Sequence, residues 1–348
     1  MACSLAVAPR KPRPVASRSL AELQAALTPA PPPGRTFMRL CDELSAAAQA
    51  VIVGGDWRSL FDLRAWAWQH PLFMAPEAPL RGHLRTWEEA LISWAPLAEA
   101  AALVRDDVAT ATRAPWERLA ARGTWAELRP LLRDDASAWS VAEARVLRGE
   151  ALAGRGPFSG MPLRRFRWEP WPDVPMHSPG GLSWSGHEFA GELTPTTLPP
   201  TIEELACERA WGPVLSVFGD VEKRVVKVAG SGPQALAGLL GPRELLVGPC
   251  TWKEALWCLL RAHGDSGPWT EGHGMVEARR AVWRLLAALA GTRWPVSGSA
   301  LQAAMKGWQW SRYDPQEPYA EANSWSVFLV LEDRRRGLAW ATYTWITD

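Results

Sequence analysis

The sequence predicts an α+β protein in which an N-terminal α-helical hairpin repeat region precedes a mixed α+β domain ending in a β-hairpin. Three observations carry this expectation. From Thr36 to Gly154 apolar residues recur at three- and four-residue steps with no alternating runs. Nine prolines between Arg155 and Pro200 rule out a long helix there. From Thr201 onward, alternating β-branched and aromatic segments stand beside helical ones.

Composition bounds the function. The chain has 348 residues, 47% of them hydrophobic, enough for a large core or two smaller ones. Its 38 basic residues against 37 acidic ones give a net charge of +1, which removes the bulk-charge argument for a nucleic-acid or membrane-surface binder. Thirty-three of the basic residues are Arg and five are Lys, a bias that a GC-rich genome explains. The five cysteines, Cys3, Cys41, Cys207, Cys250 and Cys258, form no CxxC and no close pair, which points to a reducing compartment. Met1 to Lys11 lacks the apolar core and cleavage site of a signal peptide, and no apolar run is long enough to cross a bilayer. The expected location is cytoplasmic.

Residues 1–35 read as a disordered, basic, Pro-rich tail, with capping-box spacing at Ser19 and Glu22 allowing a short amphipathic turn from Ser19 to Leu27. Residues 36–154 read as a helical, repeat-like domain. Within it, Gly55-Asp56-Trp57-Arg58-Ser59-Leu60 leads to Leu80-Arg81-Gly82, and Gly123-Thr124-Trp125-Ala126-Glu127-Leu128 leads to Leu147-Arg148-Gly149. The copies begin 68 residues apart, twice the period of a two-helix unit, so an array of helical hairpins is expected, with Trp57 and Trp125 as buried wedges. Thr86-Trp87-Glu88-Glu89, Thr124-Trp125-Ala126-Glu127 and Thr251-Trp252-Lys253-Glu254 each read as a helix start, and Thr201 to Glu204 repeats the spacing without Trp.

Residues 155–200 read as a Pro-rich linker with short strands near Leu182 to Phe189, and residues 201–348 as the α+β domain. In that domain, strands are expected at Val214 to Phe218 and Val221 to Val228, helices at Thr251 to Ala262 and Met275 to Ala290, and a closing hairpin at Trp325 to Glu332 and Leu338 to Ile346. The stretch Glu277 to Gly291, with Trp308-Gln309-Trp310 and Gly337-Leu338-Ala339-Trp340-Ala341, resembles an uncharacterised bacterial family, a domain of unknown function. That resemblance covers only the end of the chain. It implies a bacterial origin and carries over no activity and no functional residue.

Four motifs bear on chemistry. Gly264-Asp265-Ser266-Gly267 beside His263 matches the nucleophile segment of chymotrypsin-like proteases, but a helix runs straight into it, so it reads as a helix-terminating turn. Gly230-Ser231-Gly232-Pro233-Gln234-Ala235 has the outline of a dinucleotide fingerprint, yet the strand before it is charged and alternating rather than continuously apolar, which favours a plain strand-to-helix turn. His263, Asp265, Glu271 and His273 share one Gly-rich loop, where two imidazoles and two carboxylates could hold a divalent metal or do acid/base work; a solvated polar loop is the plainer reading. Arg164, Arg165, Arg167 and Trp168 interleave guanidinium and aromatic groups, the types that contact phosphate and stack on bases, but burial of Trp168 and Trp171 with the arginines outside is the favoured reading, because a neutral chain with no wider basic stripe lacks the field of a nucleic-acid binder.

The other histidines, His70, His83, His177 and His187, lack ligand spacing, and Arg334 to Arg336 read as a solvated turn that discourages edge pairing. The favoured expectation is therefore a non-catalytic interaction or scaffold protein whose helical hairpins face a protein or peptide partner. No cofactor, resident metal, catalytic set or membrane contact is expected. The alternatives are a hydrolase or metal-dependent enzyme using the His263 to His273 loop, and a nucleic-acid factor using Arg164 to Trp168, against which the neutral charge argues.

Overall fold

The structure, a computed structural model, describes residues 19–28, 34–74, 80–105, 114–170, 191–215, 223–264, 273–315 and 327–344. The chain divides into two compact units, Met1–Ala95 and Pro96–Asp348, so the boundary falls inside the segment expected to form one helical domain. The α+β class is as expected: helices fill the N-terminal part, and the described chain ends in strands.

In the first unit, α1 (Leu20–Ala26) starts at the Ser19 capping box: the Ser19 N–H donates to Glu22 Oε2 at 2.7 Å, and the Glu22 N–H donates to Ser19 Oγ at 3.3 Å. This helix packs on α2 (Arg35–Gly54), with Leu23 only 1% exposed and Leu27 sealed. Residues 20–26 are therefore part of a core and not of a disordered tail, because two leucines four apart present one apolar face. Gly55, in the left-handed region at φ 70°, ends α2, and Asp56 caps α3 (Trp57–Ala67) by accepting from the Ser59 N–H. The unit closes with α4 (Pro71–Met74) and α5 (Arg81–Trp94).

The helix start expected at Thr86 is overturned. Thr86 lies inside α5, its hydroxyl bonded back to the Gly82 carbonyl at 3.0 Å. Glu88 has no free cap to reach for. It is fully buried and accepts from Arg64 Nε at 2.9 Å and Trp68 Nε1 at 2.8 Å, tying α3 to α5.

The second unit begins with α6 (Leu97–Arg105), α7 (Pro115–Ala120), α8 (Trp125–Leu128), a 3-10 turn (Arg129–Leu131) and α9 (Ala136–Leu147). The two copies of the sequence recurrence have different structures. Leu80-Arg81-Gly82 opens α5, whereas Leu147-Arg148-Gly149 closes α9, and Trp57 starts an eleven-residue helix while Trp125 starts a four-residue one. Both tryptophans stand at N1 as expected, but both are half-buried rather than buried wedges.

A seven-stranded antiparallel sheet follows, built from β1 (Thr194–Thr197), β2 (Glu204–Leu205), β3 (Lys223–Ala229), β4 (Glu244–Cys250), β5 (Trp308–Asp314), β6 (Val327–Asp333) and β7 (Leu338–Thr344) in the order β1-β4-β5-β6-β7-β3-β2. Helix α11 (Gly232–Leu240) covers one face, where Leu236 and Leu239 join Val226, Val330 and Ala341. Helix α12 (Trp252–Gly264) lies across β5 and β6 on the other face, packed against α13 (Met275–Leu289). Between them stands α10 (Trp211–Leu215), which replaces the strand expected from Val214 to Phe218: Trp211, Val214 and Leu215 are buried at helical spacing, and residues 216–220 lie outside the described set. Thr201 to Glu204 likewise starts no helix; Glu204 belongs to β2, and the Thr201 hydroxyl bonds the Ala237 carbonyl at 3.5 Å.

The dinucleotide outline stays rejected on new grounds, and the edge-guarding reading of Arg334 to Arg336 is overturned. Strand β3 pairs antiparallel with both neighbours, and the N-terminus of α11 is occupied by Glu332, whose carboxylate accepts from the Gly232 N–H at 3.0 Å. The β6–β7 hairpin is central in the sheet, so Arg334 to Arg336 guard no edge; Asp333 accepts from the N–H groups of Arg335 and Arg336, and the Arg336 guanidinium donates to the Leu289 carbonyl at the end of α13. The sheet edges are instead short strands of four and two residues, one of them holding Pro195.

Candidate functional site

The site starts from one buried ion pair. Arg279 and Trp283, four residues apart on α13, point at Glu169: Arg279 Nε and Nη2 donate to its carboxylate at 2.7 and 3.2 Å, and Trp283 Nε1 donates at 2.8 Å. The Phe166 N–H adds a fourth bond at 2.8 Å, while Arg279 also donates to the carbonyls of Pro162 and Arg164. Arg279 is 1% exposed and Glu169 4%, so the charges are satisfied by each other, by backbone and by the Trp283 indole. This clamp pins residues 162–169 to α13, and the segment expected to be linker is firmly packed through Pro170.

The clamp sets an aromatic cluster. Phe166 stacks on Trp168 with ring centres 5.9 Å apart, and Trp283 lies 5.0 Å from Trp168. Trp252, held at the first turn of α12 by the Thr251/Glu254 capping box, donates from Nε1 to the Trp168 carbonyl at 3.1 Å. Its ring is inclined 69° to Trp168 and 53° to Trp308, the first residue of β5. The loop into β5 carries α14 (Gly298–Ala304), capped by Ser297, whose hydroxyl accepts from the Ala300 N–H at 3.1 Å.

Between this helix and the indoles runs a groove of about 600 Å³, lined by Trp168, Trp252, Trp308, Gln302, Met305 and Lys306 among others. On the other side of the first turn of α14 a second hollow of about 350 Å³ is lined by Arg155, Arg164, Phe166 and Ser297. Ser299 borders both. Gly298 lets the two approach, because a Cβ there would come within 2.2 Å of the Phe166 ring. The Nε1 atoms of Trp168 and Trp308 have no hydrogen-bond partner among the described residues.

The expected site residues divide. Trp168 is 8% exposed and forms the groove floor, Arg164 lines the second hollow with its guanidinium 5.0 Å from the Phe166 ring centre, Arg165 is half-buried near Gly149, and Arg167 is exposed and lines neither hollow. His263 and His273 do meet, their rings 4.9 Å apart and inclined 29°. Asp265 and Glu271 lie outside the described residues. Nearly parallel imidazoles send their in-plane lone pairs side by side, a poor arrangement for closing on one ion. Burial, and then the neighbouring His273, pull the His263 imidazole down from its ordinary 6.5 to about 4 against the Pro213 and Val214 carbonyls, so it is neutral at pH 7.

Sequence reasoning missed Trp252, Trp308, Gln302, Lys306 and Arg155 as a set. The capping box had located Trp252 at a helix start, but nothing local joins it to a strand 56 residues later. Thiol chemistry finds no activated group among the described cysteines: burial raises the pKa of Cys41, Cys207 and Cys250, and pushes Cys258 up to about 12. No helix among the described residues is long and apolar enough to cross a membrane. The chain matches no family model, no curated protein and no solved structure.

Proposed function

We propose that the chain is a non-catalytic protein-interaction module, and that its recognition surface is the tryptophan groove beside α14 rather than an array of helical hairpins. The observation that carries this reading is the groove itself, where three inclined indoles from three separate elements form a concave apolar wall with few polar groups. Tryptophan is the side chain most enriched at binding hot spots, because one ring buries a large area at little cost in rotamer entropy. The structural difference between the two copies of the recurrence removes the main support for a hairpin array.

The test is selection of a phage-displayed random dodecapeptide library on the full chain and on an Ala303→Trp variant. Ala303 is exposed on α14 and lines the groove, so the larger side chain fills the groove without disturbing the core. Sequences enriched on the wild type should be lost on the variant. Equal enrichment on both, or none on either, would overturn the reading.

A further inference from the structure

Resting on that reading, we infer that the groove's partner is an acidic, proline-bearing peptide, with its rings seated against Trp252 and Trp308 and its carboxylates on Arg155 and Arg164. The first argument is continuity. The aromatic groove and the second hollow meet at Ser299, so a single extended segment passing α14 would touch both.

The second argument is charge. Among the described residues, those lining the two hollows include Arg155, Arg164 and Lys306 and no Asp or Glu. On a chain of net charge +1 this is a local excess. None of the three cations is paired with a carboxylate among the described residues: Arg155 donates to the Gly160 carbonyl at 2.9 Å, and Arg164 lies over Phe166. Planar guanidinium groups are suited to carboxylates, which they take in two parallel hydrogen bonds.

The third argument is the shape of the aromatic wall. Indoles packed on one another at 69° and 53° line the groove as an angled rather than a flat apolar wall, a shape suited to a compact, puckered ring such as proline, and a polyproline II segment arrives with its backbone already extended. A sugar would need a polar partner for most of its hydroxyls, and apart from Lys306 the polar side chains lining the aromatic groove among the described residues are Ser299 and Gln302 and the indoles themselves. A nucleic-acid strand needs open aromatic faces in succession, and Trp168 already packs against Phe166 and Trp283.

The experiment is fluorescence anisotropy of three labelled dodecapeptides alternating proline with Glu, Gln or Lys, together with an oligothymidylate of equal length, on the full chain. The Glu peptide should bind about tenfold more tightly than the Gln peptide, with the preference shrinking as salt is added. The Lys peptide should bind more weakly than either. In an Arg155→Gln/Arg164→Gln/Lys306→Gln variant the Glu and Gln peptides should become equal while both still bind, and Ala303→Trp should abolish both. Equal binding of all three peptides, binding of none, or tighter binding of the oligothymidylate would overturn this assignment. Groove-dependent library enrichment would in those cases leave the interaction reading standing, and its absence would remove that too.

Discussion

Glu169 accepts four N–H donors in a site closed to solvent, and its removal would leave Arg279 buried without a counter-charge. Glu169→Ala should therefore cost about 3–5 kcal/mol in urea unfolding, more than a typical point change. His263 gives a prediction with a sign. Its folded pKa of about 4 lies below its ordinary 6.5, so between those values the unfolded chain binds the extra proton. Stability from this group is complete above pH 6.5 and falls as the pH drops toward 4. His263→Leu, which cannot titrate, should reduce the loss of stability between pH 7 and pH 4 relative to wild type; identical pH profiles would show that His263 takes up its proton as readily in the fold as in the unfolded chain. At this scale the sequence was partly legible. Burial of Trp168 with Arg164 and Arg167 facing outward followed from composition, but the partner of Glu169 did not, because Arg279 lies 110 residues away.

Elements were legible where the signal was local. The capping boxes at Ser19, Thr124 and Thr251 form as read, because Ser or Thr and Glu three apart satisfy each other's neighbouring amides wherever a helix starts. The same spacing failed at Thr86 and Thr201, where tertiary contacts claimed the side chains: Glu88 went to Arg64, and Glu204 went to a strand. Helix α13 and the closing hairpin were readable from periodicity, whereas α10 was not, since a run as short as Val214 to Phe218, interrupted by Ser216, suits strand and helix equally. Helix α1 supplies the element-scale prediction. Leu23→Ala should cost about 2–5 kcal/mol, and a change below 1 kcal/mol would return the segment to a tail. Gly298→Ala should cost about 1–3 kcal/mol through displacement of the Phe166 ring, and it should also disturb both hollows beside α14.

At the scale of the whole molecule, the groove is a product of topology. Its walls come from a loop near residue 168, from the start of α12, from α14 and from β5, and antiparallel pairing of β4 with β5 puts Cys250, two residues before Trp252, beside Trp310, two residues after Trp308. No periodicity or motif joins these segments in the sequence, which is why the hairpin recurrence looked like the stronger functional signal. Every described groove residue lies in the second unit. The central claim, that this groove is the recognition surface, is tested most directly by the indole N–H resonances of the nitrogen-labelled full chain during titration with a library-selected peptide. The account predicts that the Trp168, Trp252 and Trp308 signals shift in proportion to occupancy while that of Trp340, whose Nε1 donates to Glu208 at 2.7 Å and which lines neither hollow, stays fixed. Shifts confined to indoles that line neither hollow would contradict it.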